Sequence, residues 1–256
     1  MSNALIVFAH PEPKSLTRQL VDLAAETLEA QGHKVAFSDL YAMKWDPVYG
    51  PDDFPNRLDP ERLNFVAESD HAYGSHTQPP EVVAEQEKII AADALILQFP
   101  LWWFSMPAIM KGWIDRVWAY GLAYGYKGAG NRYRYGEGGF SGRRALISVT
   151  TGGPAIDYAP RGINGPLEEL LFPLTHGSLF FPGMDVLPLQ AIYGTGHITA
   201  EEVSAAKEAY RDRLLHLFEE TPISYRAQNG GDYPNRHTLA DTVAPELTGI
   251  NAHIAV

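Results

Sequence analysis

The sequence predicts a doubly wound α/β fold, in which five parallel strands carry helices on both faces. Two observations predict it. Short apolar runs alternate along the chain with stretches whose apolar residues recur at helical spacing. The runs are also apolar at nearly every position, as at 4–9, rather than at every second one. Strands of that composition are buried on both faces, which requires a parallel sheet that helices cover on each side.

The elements follow one another in a regular order. We expect strands at 4–9, 34–38, 94–99, 144–150 and 180–193, the last one broken by Pro182, Gly183 and Pro188. We expect helices at 16–31, 82–92, 107–118, 166–179 and 200–219, the last of them strongly amphipathic. In a sheet of this kind the ligand lies beyond the carboxyl ends of the strands, so function is expected in the loops that follow them.

Three segments lack a regular pattern: 46–80, 120–142 and 225–256. The middle one is rich in Gly, Tyr and Arg. Disordered segments seldom hold so many aromatic residues, so we expect 120–142 to be an ordered binding loop. We predict a single domain at 1–222 with inserted loops at 46–80 and 120–142. The C-terminal extension at 223–256 is expected to pack on this domain or on a partner subunit.

Composition excludes several classes of function. The 256 residues carry a formal net charge of −11 and include no cysteine. The absence of cysteine excludes disulfides, thiolate metal sites and cysteine nucleophiles, and we expect no bound metal. An acidic surface repels nucleic acids and anionic membranes, and no apolar run is as long as a membrane span. No basic stretch or cleavage site precedes the first strand, so a cytoplasmic protein is expected.

The loop after the first strand has features of a phosphate site. Ser15 or Thr17 can cap the following helix, whose free N–H groups and positive dipole end suit a phosphate. His10 and Lys14 could add donors or charge. Taken alone, the loop is better explained as an ordinary capped turn. Neither a G-x-G-x-x-G motif nor a P-loop follows the strand, which argues against a nicotinamide Rossmann domain and against nucleotide hydrolysis.

The loops after the third and fourth strands supply two further features. Trp102, Trp103 and Phe104 follow the third strand, where they could form a wall for a flat ring or simply pack in the core. The Thr-Thr-Gly-Gly stretch at 150–153 follows the fourth strand, and its glycines let backbone amides approach a ligand closely. A tight turn explains that stretch equally well. Together, a phosphate anchor, an aromatic wall and an amide cradle at one sheet edge form the set that a flavin needs.

Several stretches spread over 4–222 carry a family resemblance: 4–10 (ALIVFAH), 38–43 (SDLYAM), 98–104 (QFPLWWF), 107–117 (PAIMKGWIDRV) and 150–153 (TTGG). On these, the chain resembles the NAD(P)H:quinone oxidoreductase family, whose fold is flavodoxin-like. The resemblance implies a homodimer with FAD, or alternatively FMN, at each subunit interface. It also implies ping-pong transfer of two electrons from NAD(P)H to a quinone or a related azo or nitro acceptor.

The resemblance also implies roles for individual residues. Its cofactor-binding set comprises His10, Ser15, Leu16, Thr17, Asn64, Pro100, Leu101, Trp102, Trp103, Phe104, Thr150, Thr151, Gly152, Gly153 and Tyr158. Tyr124 and Tyr126 match a pair that lines the substrate cavity of the partner subunit. Val203 stands where mammalian members have an arginine near the adenine, which weakens the case for FAD over FMN.

Tyr158 and Asn164 are the expected catalytic residues. Mammalian members of the family have Tyr and His in the loop after the glycines, and here Asn164 replaces the His. Both side chains can donate hydrogen bonds to negative charge that develops on a flavin. Because an amide does not titrate, proton delivery would fall to Tyr158 or water. The alternative is that Asn164 is only a turn residue before Gly165.

Two other functions stay open at this point. A flavodoxin-type electron carrier is usually shorter and shields its flavin, and the Tyr124–Tyr126 loop argues against it. A flavin-binding regulatory subunit of a membrane transporter is the other alternative, since some relatives have that role.

Overall fold

A computed structural model describes residues 1–255. At its centre is a parallel sheet with the strand order β2-β1-β3-β4-β5, and β6 also pairs with β4. The strands are β1 (Asn3–Phe8), β2 (Lys34–Asp39), β3 (Ala94–Pro100), β4 (Arg144–Thr150), β5 (Asp185–Val186) and β6 (Gln190–Ile192). This confirms the predicted five-position parallel sheet. Two short strands share the fifth position, because Pro188 between them has no N–H for the ladder.

Helices cover both faces of the sheet. They are α1 (Leu16–Ala30), α2 (Phe65–Gly74), α3 (Pro80–Ala91), α4 (Ala108–Val117), α5 (Leu167–Leu170) and α6 (Ala200–Leu215), with a π-helical segment at Pro173–Phe180. Helices α1 and α6 pack on one face, where Leu20, Tyr210 and Ile6 belong to one buried cluster. The other face lies under α3, α4 and α5, where Trp113 and Leu5 belong to a second cluster. Successive strand residues thus enter opposite cores, which explains why the strands are apolar throughout.

The prediction was wrong about the segment 46–80, which contains α2. This helix has no apolar periodicity to reveal it, because the side chains that it buries include Glu68 and Ser69. The Glu68 carboxylate accepts hydrogen bonds from the amides of Leu58 at 2.9 Å and Asp59 at 3.2 Å. Polar contacts therefore stabilise α2 where periodicity predicts a loop.

Two predicted helices also differ in extent. The helix expected at 166–179 is divided into α5 and the π-helical segment, since Pro173 interrupts regular α-helical hydrogen bonding. The last helix ends at Leu215 and buries only Tyr210 and Leu214, so it is less amphipathic than its sequence suggests. Among residues 1–255, no helix is long and apolar enough to cross a membrane.

The segment 120–142 is folded onto the domain. Phe140, Leu122 and Ala123 are buried in the main core. The amide of Tyr120 donates to Ser69 Oγ on α2 at 2.9 Å, which joins this segment to the one at 46–80. This loop with its own buried anchors carries five tyrosines: Tyr120, Tyr124, Tyr126, Tyr133 and Tyr135.

The chain after 222 returns to the sheet and to the segment 120–142. The amide of Ile223 donates to the carbonyl of Val186 at 2.8 Å. Tyr225 donates its hydroxyl to Thr175 Oγ1 at 2.8 Å. These contacts place the extension beside the π-helical segment.

Helix α4 packs directly on the segment 46–80. Arg116 on α4 donates to Asp53 Oδ1 at 2.7 Å and to the carbonyl of Asp46 at 3.0 Å. At Gly112, a Cβ would lie 2.2 Å from the carbonyl oxygen of Pro47. The missing side chain is therefore what allows the helix and the loop to be in contact.

Replacing Gly112 by Ala tests this contact. We expect the free energy of unfolding to fall by about 1–3 kcal/mol, because backbone atoms on both sides would have to separate. Gly74→Ala is the matched control, since its Cβ meets no atom within 4 Å. In this control the free energy of unfolding should change by less than about 1 kcal/mol. Any change should be an increase, because alanine favours a helix more than glycine does. Chemical denaturation measures both, and equal effects would contradict the packing argument.

Candidate active site

Three loops meet at the carboxyl edge of the sheet. Strands β1, β3 and β4 are neighbours and parallel, so the loops that follow them emerge side by side. Thr17 Oγ1 lies 2.9 Å from Thr150 Oγ1 in a buried hydrogen bond. The amide of Leu101 donates to the carbonyl of Thr150 at 2.7 Å. The rings of His10 and Trp102 lie 6.0 Å apart, measured between centroids. The structure therefore brings together the three features that the sequence singled out.

The first loop leaves the N-terminus of α1 available. Ser15 is the N-cap residue, and its Oγ accepts from the amide of Arg18 at 3.1 Å. The amides of Leu16 and Thr17 stand in the first turn, where a helix offers no internal acceptor. The first turn contains no acidic side chain. These two amides and the positive end of the helix dipole suit a phosphate.

The second loop is a two-residue hairpin turn closed by backbone hydrogen bonds between Trp102 and Ser105, at 3.0 and 3.1 Å. Its central residues, Trp103 and Phe104, have φ values of 50° and 61°. Positive φ at both positions is the pattern of a type I′ turn, which favours Asn and Gly. Large aromatic residues at these positions are strained by roughly 1–2 kcal/mol each.

This aromatic turn is exposed. Trp103 is 94% exposed, Phe104 47% and Trp102 41%. The alternative explanation, that these rings pack in the core, is therefore wrong. A groove of about 650 Å³ runs between the turn and the π-helical segment, with Met106 and Leu174 among its walls. A strained turn that displays apolar rings beside a groove is typical of a binding site.

The third loop presents backbone groups on its open side. Thr150 and Thr151 are buried, and the amide of Thr151 donates to the carbonyl of Ile192 at 2.9 Å. No atom lies within 4 Å of the position that a Cβ would take at Gly152. At Gly153 a Cβ would lie 3.3 Å from the hydroxyl of Tyr158. The glycines thus leave the backbone open to a ligand, close to a tyrosine hydroxyl.

Tyr158 is fixed beside this loop. Its hydroxyl lies 2.8 Å from Thr151 Oγ1, and Thr151 Oγ1 also accepts from the amide of Gly153 at 3.3 Å. Asn164 is held through its backbone, which donates to the carbonyl of Asp157 at 2.9 Å. Among the residues described, none forms a hydrogen bond with the side chain of Asn164. Its amide is therefore available to a ligand.

The two predicted substrate-lining residues, Tyr124 and Tyr126, lie elsewhere in the chain. The ring of Tyr124 packs at 5.1 Å on Tyr120 and at 6.3 Å on Phe181, and burial raises the pKa of its hydroxyl. The side chain of Tyr126 lies under Lys127, whose Nζ is 5.1 Å from the ring centroid. Within the described chain, neither tyrosine has a ring contact with the aromatic turn.

The remaining predicted residue, Asn64, is the exposed N-cap of α2. Its Oδ1 accepts from the amide of Ala67 at 3.3 Å. This capping contact satisfies one of the free amides of the helix. A flavin contact for Asn64 stays a prediction.

One part of the edge was missed by sequence reasoning. A cavity of about 490 Å³ lies between the Gly-rich loop and α6, and its walls include Tyr193, Ile198 and Ala206. It adjoins the hydrogen bond from the amide of Gly194 to the carbonyl of Gly153, at 2.8 Å. Sequence analysis did not find this cavity, because the break in the predicted fifth strand left the carboxyl end of that strand undefined.

Several known proteins are similar to this chain in sequence and in fold. The sequence profile of a family described as having a flavodoxin-like fold matches residues 2–214. A ribosyldihydronicotinamide dehydrogenase-like protein of Penicillium crustosum is 45% identical over 90% of this chain and 86% of its own. NAD(P)H dehydrogenase [quinone] 1 of Cavia porcellus is 40% identical over 88% and 80%. A solved candidate quinone reductase from Klebsiella pneumoniae is 46% identical over all of both chains, with a TM-score of 0.95.

The chain therefore belongs to the flavodoxin-like family that contains the NAD(P)H:quinone oxidoreductases. This confirms the resemblance drawn from its sequence.

The strain in the aromatic turn is testable on the flavin-free protein. Phe104→Gly should leave the free energy of unfolding unchanged or raise it by up to about 1 kcal/mol, because glycine accepts the positive φ. Phe37→Gly is the control, since Phe37 is similarly exposed, at 42%, but lies in β2. This control should cost about 1 kcal/mol. Equal losses in chemical denaturation would contradict the presence of strain.

Proposed function

We propose that this chain is a flavin-dependent NAD(P)H:quinone oxidoreductase that also accepts related azo or nitro compounds. The observation that carries the proposal is the strained, exposed aromatic turn at Trp102–Ser105. Folding alone does not favour two large rings at positive φ in water. A flat ring system that stacks on them would offset that cost.

The absence of cysteine suits the reducing cytoplasm, where we place the protein.

The three loops fit the parts of a flavin. Trp102, Trp103 and Phe104, preceded by Pro100 and Leu101, would line its ring, and the free amides of Leu16 and Thr17 would hold a phosphate beside His10. The open backbone from Thr150 to Gly153 would meet the polar end of the ring. When bound, a flavin supplies the transfer of a hydride from NAD(P)H and of two electrons to the acceptor.

We infer that the flavin is FAD, with FMN as the alternative. The cavity beside Tyr193 and Ile198 lies at the same sheet edge and is mostly apolar, which suits an adenine. FMN would leave it empty. Because Val203 stands where the resemblance implies an arginine near the adenine, recognition there would rest on the apolar walls of the cavity, which also holds Glu202 and His197.

Tyr158 is the residue best placed to stabilise negative charge that develops on the flavin. When Thr151 donates to Tyr158, the tyrosine keeps its own O–H for a ligand held at Gly152 and Gly153. Asn164 can offer a second donor. Donors fixed before the reaction stabilise negative charge as it develops, at no cost of reorganisation.

Replacing Tyr158 by Phe tests this role. In stopped-flow experiments we expect NAD(P)H to reduce the bound flavin roughly tenfold to a thousandfold more slowly, as for the loss of one donor at a developing charge. Tyr210→Phe is the matched control, because that buried tyrosine packs between α6 and the sheet. Asn164→His should preserve flavin binding and add a pH dependence at about pH 6–7. A wild-type rate in Tyr158→Phe would refute the assigned role.

We also propose that each site is completed by a second copy of the chain. Tyr124 and Tyr126 make no contact with the aromatic turn of their own chain, although the resemblance gives them a substrate-lining role. A homodimer would place them against the flavin of the partner. The orientation of Tyr124 is fixed by Tyr120 and Phe181, as a wall residue requires.

Subunit mixing tests the shared site. Tyr124→Ala and Tyr158→Phe homodimers should both be impaired, because each site lacks one group. After subunits exchange, a heterodimer regains one intact site, so the mixture should recover up to roughly a quarter of wild-type activity. If Tyr124 served its own chain, every site would still lack one group. In that case mixing would restore nothing, which would exclude the proposal.

A further inference from the structure

The segment 193–197 follows β6 and holds the backbone of the Gly-rich loop. Strand β6 pairs with β4 in parallel, so the loops that follow the two strands leave the sheet side by side. The amide of Thr195 donates to the carbonyl of Thr151 at 3.0 Å. The hydroxyl of Thr195 donates to the same carbonyl at 3.2 Å. One residue thus supplies two donors to a single carbonyl, whose two lone pairs can accept both.

Gly194 lets two successive amides face the same loop. Its φ is 67°, in the left-handed region that glycine adopts without strain. A residue in this conformation directs successive N–H groups towards one side of the chain. The amide of Gly194 accordingly donates to the carbonyl of Gly153 at 2.8 Å, next to the bond from Thr195 to Thr151. The Gly-rich loop is therefore held at two of its carbonyls.

The three amides at 151–153 differ in their hydrogen bonds. The amide of Thr151 donates to the carbonyl of Ile192 at 2.9 Å, and that of Gly153 donates to Thr151 Oγ1 at 3.3 Å. In the part of the chain that the structure describes, the amide of Gly152 has no acceptor. Gly152 is exposed, and no atom lies within 4 Å of the position that a Cβ would take there. Of these three donors, the Gly152 amide is the one that a ligand can use.

The carbonyl that Thr195 holds belongs to the same peptide group as this free amide. A peptide group is planar, and in its trans form the C=O and the N–H point in opposite directions. The peptide between Thr151 and Gly152 is trans. Because Thr195 binds the carbonyl on one side, the amide of Gly152 is directed to the opposite side. Rotation of this peptide group would break both hydrogen bonds from Thr195.

We propose that Thr195 is a positioning residue, which fixes the Gly152 amide as a hydrogen-bond donor to the polar end of the flavin ring. A hydrogen bond is stronger when its acceptor carries negative charge, so a fixed donor favours the reduced flavin over the oxidised one. The inference rests on the proposed function, because it concerns the flavin of that reaction. Thr195 acts through the backbone of the loop, by holding one peptide group in one orientation.

Nitrogen-15 relaxation of the flavin-free chain tests the positioning without turnover. In the wild type, the Gly152 amide should be rigid, with an order parameter of about 0.85. Thr195→Val removes the hydroxyl and keeps a side chain of similar size, so the order parameter of Gly152 should fall towards about 0.6. Thr195→Ser keeps the hydroxyl and should preserve the rigidity. An unchanged order parameter in Thr195→Val would overturn the proposal.

The reduction potential of the bound flavin tests whether the positioned amide acts on it. In the flavin-loaded protein, Thr195→Val should shift the balance towards oxidised flavin by about threefold to tenfold, as expected for one weakened hydrogen bond. A tenfold shift lowers a two-electron potential by about 30 mV. Thr195→Ser should keep the wild-type potential. Thr27→Val is the matched control, because the Thr27 hydroxyl also donates to a carbonyl, that of Leu23 at 2.7 Å, but within α1.

These variants separate positioning from stability. Thr195→Val and Thr27→Val each lose one hydrogen bond from a hydroxyl to a carbonyl, so both should resist chemical denaturation less well than the wild type. Only Thr195→Val should change the potential. Equal potentials in the two variants would overturn the proposal, since Thr195 would then stabilise the fold and nothing more.

Failure of the proposed function gives a different result. A protein whose flavin potential depends on Thr195 but which oxidises no nicotinamide would refute the proposed function and leave the positioning role standing. A wild-type protein that takes up neither FAD nor FMN would refute both.

Discussion

The parallel adjacency of β1, β3 and β4 is the constraint on which the site depends. It delivers three loops, from distant parts of the sequence, to one edge of the sheet. The hydrogen bond between Thr17 and Thr150, at 2.9 Å, fixes two of those loops to each other. Because the bond is buried, loss of either hydroxyl would leave the other without a partner, at a cost of about 1–3 kcal/mol. Thr17 therefore holds α1, whose free N-terminal amides we propose bind the flavin phosphate, against the Gly-rich loop.

The aromatic turn has the opposite energetic character. Its rings gain little from folding, since Trp103 is almost fully exposed, and its backbone is strained at two successive residues. Such a turn persists because β3 and α4 on either side of it are firmly packed, with Trp113 and Met110 fully buried. Rigid elements thus support a loop whose own conformation is unfavourable. We propose that a ligand that covers the rings offsets this cost.

Most of the sheet and its loops could be predicted because they follow from local composition. Apolar runs define the strands, and Ser15, Trp102 and Gly152 can be found because they stand in the loops that follow those runs in the sequence. Helix α2 could not be predicted, because a buried Glu68 rather than an apolar stripe stabilises it. The cavity between Arg134, Tyr135 and Gln228 was also missed, since its walls come largely from 120–142 and 223–256, two segments without periodicity that meet only in the folded chain. Long-range polar contacts of this kind leave no local signal in a sequence.

Titration of the flavin-free protein with FAD and FMN tests the central claim most directly. The account predicts that the wild type binds one flavin per chain, with the flavin fluorescence quenched by Trp102 and Trp103. It predicts tighter binding of FAD than of FMN, because only the adenine of FAD would reach the cavity beside Tyr193. Phe104→Gly should weaken binding, whereas Phe37→Gly should bind as the wild type does. A wild-type protein that binds neither flavin, or a Phe104→Gly variant with wild-type affinity, would contradict the account.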